Sequence, residues 1–543
     1  MTDDILTPNF DDDFDRIAGS RTSEQEEAAK ANGHNRERTI IQLTAGNLHN
    51  IATQSEAALV GAGVQFYTRD GAILKPIIEE APAAKGRKTK VARIRPVTEN
   101  MMRDMLSRVI DFQRFSKADG KFVSVDPPRD LPGIILSRDG EWRFPPLRGI
   151  ITSPTMRHDG TILAVPGYDP VTQLLLLDNV PLPPIPELPS IDDATAAIKF
   201  VDQLLDEFPF LNKASRSVAL SMLITPIVRA ALTCSPLHVA DAPEAGSGKS
   251  YLADIASNIM CGQDAPVMAA GKTEDETEKR LGAILMTGQQ IAVIDNLNGE
   301  LGGDFLCQAV ERPVLEPRIL GQSVVKRIYN TYTLFGNGNN VRTAGDLVRR
   351  VILASLDANL ENPELRQFKN NPVELILADR GRYIAAILTV VRAYMAAGYP
   401  GLLPPIASFQ DWSKLVRSPL VWLGYADPVE TMKTTRANDP SRGALQEVVA
   451  AWERAIGLNV PLTAGAIKHR VAGAVEGVYA DLNVALSEVA CGPGRTEIEP
   501  KRLGKWLDRN KGRIACGFKI MCGKDAHVKQ NVWWIEKAAK EGP

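Results

Sequence analysis

The run Leu237 to Ile259, LHVADAPEAGSGKSYLADIASNI, leaves this chain little freedom in how it can fold. An apolar stretch, a Gly-rich turn and an apolar-periodic segment follow one another, which predicts a buried strand, a tight loop and a helix. The turn closes on Gly246, Gly248, Lys249 and Ser250. Glycines at that spacing let backbone N–H groups curl around a phosphate, and Lys249 adds a cation facing the β- and γ-oxygens. The Ser250 hydroxyl can ligate Mg²⁺, and the helix presents its positive N-terminal end to the anion. Leu252, Ile255 and Ile259 recur at helical spacing, so the helix can pack on a sheet. The expected fold is therefore an α/β P-loop NTPase core taking ATP and Mg²⁺, with Ala245, Gly246, Ser247, Gly248, Lys249, Ser250 and Tyr251 as the nucleotide-binding set. One departure is Pro243, which stands where the loop's first Gly usually lies.

Downstream, QQIAVIDNLNGEL (Gln289 to Leu301) is a short apolar run ending in Asp295. It predicts a second core strand that delivers a carboxylate to its C-terminal edge, where Asp295 would join Ser250 around Mg²⁺. Asn296 follows where many ATPases carry a Glu that orients the attacking water. Asp295 itself, Glu300 and Asp304 are the candidates for that task. NTYTLFGNGNN (Asn330 to Asn340) predicts a third strand ending in polar amides. Eleven residues past Asn339 comes Arg350, beside Arg349, in the segment GDLVRRVILASLD.

The order P-loop, Asp strand, Asn strand, Arg pair resembles the superfamily III helicases, the AAA+ type found in primase–helicases of phages, plasmids and poxviruses. The resemblance covers roughly Pro236 to Leu356, under a quarter of the chain. It implies that Asn339 senses the γ-phosphate, with Asn337 and Asn340 as alternatives. It also implies that Arg350, or else Arg349, reaches into a neighbouring subunit's nucleotide. Active sites formed between subunits imply a homo-oligomeric ring, hexameric in the family. Between the Asp and Asn strands, PVLEPRILGQSVVKRIYNTYTLF reads as strands Arg318–Leu320 and Val324–Tyr329 about a Gly321–Gln322–Ser323 turn. The family projects a hairpin here into a central DNA channel, which makes Arg318, Lys326 and Arg327 the implied phosphate contacts.

The whole chain sets bounds on these readings. With 543 residues, 44% hydrophobic and 24% charged, it has the make-up of a soluble protein of several domains. A formal net charge of −2 argues against wholesale electrostatic binding of nucleic acid, so any DNA contact must be local. The six cysteines form no CxxC pair, which speaks against structural zinc or a disulfide framework and fits a reducing cytoplasm. The start, MTDDIL, lacks a signal-peptide pattern, and Ser217 to Leu232 is too short and polar to span a bilayer.

Composition divides the chain into an acidic tail (1–37), an α+β domain (38–178), a Pro-rich linker (179–191), the ATPase core (192–360), a helical lid or collar (361–440) and a C-terminal domain (441–543). PPRDLPGIILS (Pro127 to Ser137) and VPGYDPVT (Val165 to Thr172) are similar to the segment preceding the helicase domain in phage and plasmid primase–helicases. No primase signature accompanies them, so a separate primase is an implied partner. In the C-terminal domain, EPKRLGKWLDRN (Glu499 to Asn510) places Lys501, Arg502, Lys505 and Arg509 around a Leu503/Trp506/Leu507 face. Two closing strands, Phe518–Cys522 and Val528–Ile535, would complete a winged-helix arrangement with that helix in the recognition position and Lys524 and Lys529 in the wing. Two functions remain from this reading. One is an ATP-driven DNA helicase or translocase of a mobile element, and the other is a nucleotide-switched DNA-binding protein that does not unwind.

Overall fold

The computed structural model of the protein describes residues 38–83, 88–178, 180–271, 273–317, 326–360, 362–366, 368–437, 440–474, 476–492, 497–524 and 530–538. The acidic tail, the centre of the basic loop at 84–87, Arg318 with the expected hairpin turn, and Lys529 lie outside these residues. The chain forms two compact units. One runs to Val341 and resumes over Arg350–Thr431, and the other joins Arg342–Arg349 to the residues from Met432 onward.

The first unit is built on a five-stranded sheet. Its strands are β1 (Leu237–Ala242), β2 (Val267–Ala269), β3 (Ile291–Leu301), β4 (Thr333–Thr343) and β5 (Val351–Ser355), in the order β2-β3-β4-β1-β5. β1 runs parallel to both β4 and β5, and β2 runs parallel to β3. Five of the six residues of β1 are buried, as a strand covered on both faces requires. Helix α1 (Lys249–Cys261) follows β1 and ends where Gly262, at φ 69°, takes the left-handed conformation. Helix α2 (Glu274–Met286) starts on a Thr273 side-chain cap, with three acidic residues in its first turn facing the positive helix end. Helix α3 (Asp304–Glu311) leads out of β3.

The helix Lys213–Ile227, buried nearly all round, packs against α1 and β5. Just beyond it, Arg229 is buried and donates to the carbonyl of Tyr332 at 2.7 Å and to Asn330 Oδ1 at 2.6 Å, which ties that helix to the start of β4. Burial pushes its guanidinium pKa down to about 10.

Before the sheet lies a region of mixed strands and helices. Thr39–Gln42, Ile110–Ser116 and Lys121–Val125 form a three-stranded sheet, backed by helices Leu48–Gly61 and Glu99–Val109. A long hairpin pairs Ala72–Pro82 with Lys88–Pro96. The Pro-rich stretch does not divide compact units, because residues on both sides of it belong to the first one. The Pro181 carbonyl lies against Gly381, where a Cβ would come within 1.9 Å of it. Of the expected collar region, the helix Arg380–Ala396 belongs to the same unit, whereas the helix Thr431–Ala437 lies in the second unit from Met432 onward.

The second unit carries helices α4 (Pro440–Ala455) and α5 (Pro500–Asn510), with Ala464–Val471 and Val478–Ala490 between them. The strands β6 (Ile514–Ala515), β7 (Phe518–Lys524) and β8 (Asn531–Lys537) close it as an antiparallel sheet. Its own core includes Trp452, Ile467, Leu486, Leu503 and Ile535. Trp533 is buried and its indole donates to Asp508 Oδ1 at 3.2 Å, so it is a packing residue on α5. Among the described residues no helix is long and apolar enough to cross a membrane, and no disulfide joins the cysteines.

The tightest packing in the sheet is between β3 and β4, where a Cβ on Gly338 would stand 2.1 Å from the Leu297 carbonyl oxygen. Gly338→Ala must push the two strands apart and should destabilise the protein by about 1–3 kcal/mol, as overpacking does. Urea unfolding measures this, and an unchanged midpoint would show that the strands are not held at this distance.

Candidate nucleotide and nucleic-acid sites

The loop between β1 and α1 has the backbone that its sequence requires. Gly246 (φ 79°) and Gly248 (φ 101°) both adopt the left-handed conformation. Among the described residues, the N–H groups of Ala245, Gly246 and Gly248 donate to no protein acceptor, while Ser247 closes a turn over Ala245 and Gly246. These donors precede the first turn of a thirteen-residue helix, which is the donor set an oxyanion ligand needs. Lys249 Nζ donates to the Glu244 carbonyl at 2.7 Å and to Ser247 Oγ at 3.1 Å, so its ammonium sits inside the loop's curve. Burial lowers the Lys249 pKa, and the carboxylates of Asp241 and Glu244 oppose that shift.

Asp241, at the end of β1, accepts from the Val341 N–H at 2.8 Å. Burial raises its pKa, against the pull of that hydrogen bond and of Lys249. Further down β1, burial depresses the His238 pKa to about 3, and its Nε2 lies 3.0 Å from Ser221 Oγ. His238 is thus a neutral core residue.

An aromatic wall flanks the loop, and no local pattern in the sequence signals it. Phe208 lies against Gly248, where a Cβ would come within 3.1 Å of the ring. The same ring stacks on Tyr251, with centroids 6.3 Å apart, and on Phe210 at 5.9 Å. The Tyr251 hydroxyl bonds Asn371, and Glu364 stands over Gly246. Glu364 and Asn371 are more than a hundred residues from the loop in sequence, so periodicity and spacing could not have placed them beside it.

The sheet order sets the Asn strand between the P-loop strand and the Asp strand. Asn339 pairs with Ala242, at the start of the loop, and is half-buried. Asn337 pairs with Ala240 one pleat deeper and is buried. Its Oδ1 accepts from the Asn296 N–H at 3.2 Å, and its Nδ2 has no partner among the described residues. Asn340 is exposed, with φ 50°. The apolar run does not end at Asp295, because β3 continues to Leu301 through a left-handed Asn296 (φ 58°). That kink re-aims the chain just after the carboxylate. Asp295 is half-buried and level with Ala269 of β2, whereas Glu300 and Asp304 are exposed.

The two arginines of the pair lie in different environments. Arg350 is buried, and its Nε donates to Glu311 Oε2 at 2.6 Å. Glu311 also accepts from the Ser408 hydroxyl. A guanidinium held this way is committed to the fold of its own chain. Arg349 is exposed and pairs with Asp346 at 2.8 Å, within the second unit.

At the place of the expected hairpin, Val314–Leu315 pairs with Ile328–Tyr329, and the span expected to form its turn lies outside the described residues. Lys326 is half-buried and Arg327 exposed. The Arg327 guanidinium lies 3.3 Å from Glu316, and its backbone N–H donates to Asp70 at 3.0 Å. In the second unit Lys501, Arg502, Lys505 and Arg509 are all exposed on α5, opposite the buried Leu503 and Leu507. Lys524 is exposed at the end of β7. The two units differ sharply in charge. Arg342–Arg349 with residues 432–543 holds 20 Lys and Arg against 13 Asp and Glu, a formal +7, while the remainder holds 43 against 52, a formal −9.

No protein-family model matches the chain, and no curated protein matches it. Among solved structures it is similar to the A form apo structure of the NrS-1 C terminal region, at 10% identity and a TM-score of 0.37, covering 89% of this chain and 99% of that one. It is also similar to the SCCmec type IV Cch active helicase, at 12% identity and a TM-score of 0.33, covering 81% and 99%. A JCV helicase bound to a small molecule is similar over 46% of this chain and 66% of that one, at 12% identity and a TM-score of 0.21. At such TM-scores the likeness carries no argument, and function rests on the residues described above.

Truncating Arg350 tests its place in the fold. Arg350→Ala leaves the Glu311 carboxylate without its guanidinium and should cost about 3–5 kcal/mol of stability. Replacing both partners, Arg350→Met with Glu311→Leu, should cost less. If thermal unfolding shows Arg350→Ala to be as stable as the parent while ATP turnover is lost, the guanidinium acts on nucleotide after all.

Proposed function

We propose that this protein is an ATP-driven DNA helicase or translocase, of the superfamily III kind that its motif order resembles. The observation that carries the reading is the loop before α1, with its two left-handed glycines, its row of N–H donors and the Lys249 ammonium inside the curve. In this reading the loop N–H groups and Lys249 bind the β- and γ-phosphates, and Ser250 and Asp295 hold Mg²⁺. The metal would supply charge neutralisation on the phosphate oxygens. Asn339 lies level with the start of the loop and is the polar residue that reads the γ-phosphate, while Asn337 holds the Asp295–Asn296 turn. Phe208 and Tyr251 supply an apolar wall beside the phosphates. DNA is held by the basic second unit through Lys501, Arg502, Lys505 and Arg509 of α5, in a winged-helix arrangement, and by Lys326 and Arg327 at the base of the hairpin.

A second reading, a nucleotide-switched DNA-binding protein that does not unwind, draws on Asn296. An amide there cannot act as the base that a Glu would supply. Strand displacement on a forked duplex separates the two readings.

Lys249→Ala should abolish ATP turnover and weaken nucleotide binding, and a near-parental rate would remove the site from this loop. Asp295→Asn should lose Mg²⁺-dependent hydrolysis but still bind nucleotide, as measured by turnover and by equilibrium binding of a labelled analogue. Lys326→Glu with Arg327→Glu should reduce DNA-stimulated ATPase and leave basal ATPase in place. Normal unwinding by that variant would put the motor's grip on DNA elsewhere.

A further inference from the structure

The second unit contains a concavity of about 430 Å³ bordered by Arg349, Arg442 and Arg513, together with Asp346 and the apolar Val348 and Ile514. Its walls come from three separate parts of the sequence. Arg349 arrives in the segment between β4 and β5, Arg442 lies in the first turn of α4, and Arg513 follows α5. Three guanidiniums drawn to one cleft repel one another, and Asp346, paired with Arg349 at 2.8 Å, offsets only one of them. Arg513 donates to Asn510 Oδ1 at 2.9 Å, a neutral partner that orients its guanidinium without cancelling the charge. Arg442 and Arg513 are both exposed. Planar guanidiniums suit phosphate oxygens, and Ile514, 59% exposed, offers an apolar surface beside them. The unit's formal +7, set against −9 for the remainder, makes a polyanion its complementary partner.

We propose that this cleft is a second nucleic-acid site, in which Arg349, Arg442 and Arg513 grip backbone phosphates of DNA. The inference rests on the reading of the second unit as the DNA-binding one. It gives Arg349 a DNA contact in place of a trans-acting role on nucleotide. It also gives phosphate binding a covalent route to the nucleotide site, because Arg349 is ten residues from Asn339 along one continuous segment.

The test uses the full chain with a short labelled duplex and its single strand, by fluorescence anisotropy over a series of KCl concentrations. Arg442→Glu with Arg513→Glu should weaken duplex binding and make the log–log salt slope shallower by about two, one for each phosphate that is no longer neutralised. Basal ATPase and the thermal midpoint should stay at parental values, and DNA stimulation of the ATPase should fall. Arg442→Ala alone, which adds no negative charge, should make the slope shallower by about one. Arg454→Glu with Lys468→Glu makes the same change in net charge away from the cleft, and it should have the smaller effect. If that control weakens binding as much as the cleft variant, the effect is one of net charge and the site is overturned. If Lys505→Glu with Arg509→Glu weakens binding and the cleft variant does not, the cleft is not a phosphate site although the unit still binds DNA. If neither pair alters DNA affinity, the reading of the second unit falls, and the cleft with it.

Discussion

The close approach of β4 to its neighbours is the constraint on which the rest of the five-stranded sheet depends. β4 lies between the strand that feeds the glycine loop and the strand that carries Asp295, so both are referenced to it. Gly338 permits this, because any side chain there would collide with the Leu297 carbonyl, and Gly336 similarly makes room for the Leu297 side chain. With the strands at this distance, Asn337 can accept from the Asn296 N–H and Asp241 can accept from Val341. The first of these hydrogen bonds ties the kink within β3 to the middle of β4, and the second fixes the end of β1 against the end of β4. The loop and the carboxylate are therefore positioned by backbone geometry before any nucleotide is considered.

What could be read in the sequence follows the range of the interactions involved. The strand, loop and helix from Leu237 to Cys261 are a local unit whose glycine positions and apolar spacing state its geometry. The C-terminal helix and strands were legible for the same reason, since Leu503 and Leu507 recur at helical spacing and Val532, Trp533 and Ile535 sit on a strand. Arg350 was not legible. Its partner Glu311 lies 39 residues away, and an arginine pair looks the same in sequence whether it is solvated or buried. The continuation of β3 past Asp295 was hidden by Asn296, whose polar side chain reads as a strand end although its backbone only kinks. Phe208 and Glu364 reach the loop through tertiary packing, which leaves no periodic trace.

The near-neutral net charge of the chain conceals two opposed units. A formal −2 overall is the sum of a basic C-terminal unit and an acidic remainder, and only the structure shows where the boundary falls. That boundary passes through the peptide bond between Arg349 and Arg350. Arg350 belongs to the first unit, where it pairs with Glu311 at the end of α3, and its carbonyl accepts from the Leu237 N–H at the start of β1 at 2.9 Å. Arg349 belongs to the other unit and stays exposed. A buried anchor and an exposed cation thus stand on adjacent residues, where the chain passes from one unit to the other. Since β1 leads into the glycine loop, and β4 delivers Asn339 to the same edge, the segment from Val341 to Val351 carries the chain from that sheet into the basic unit and back.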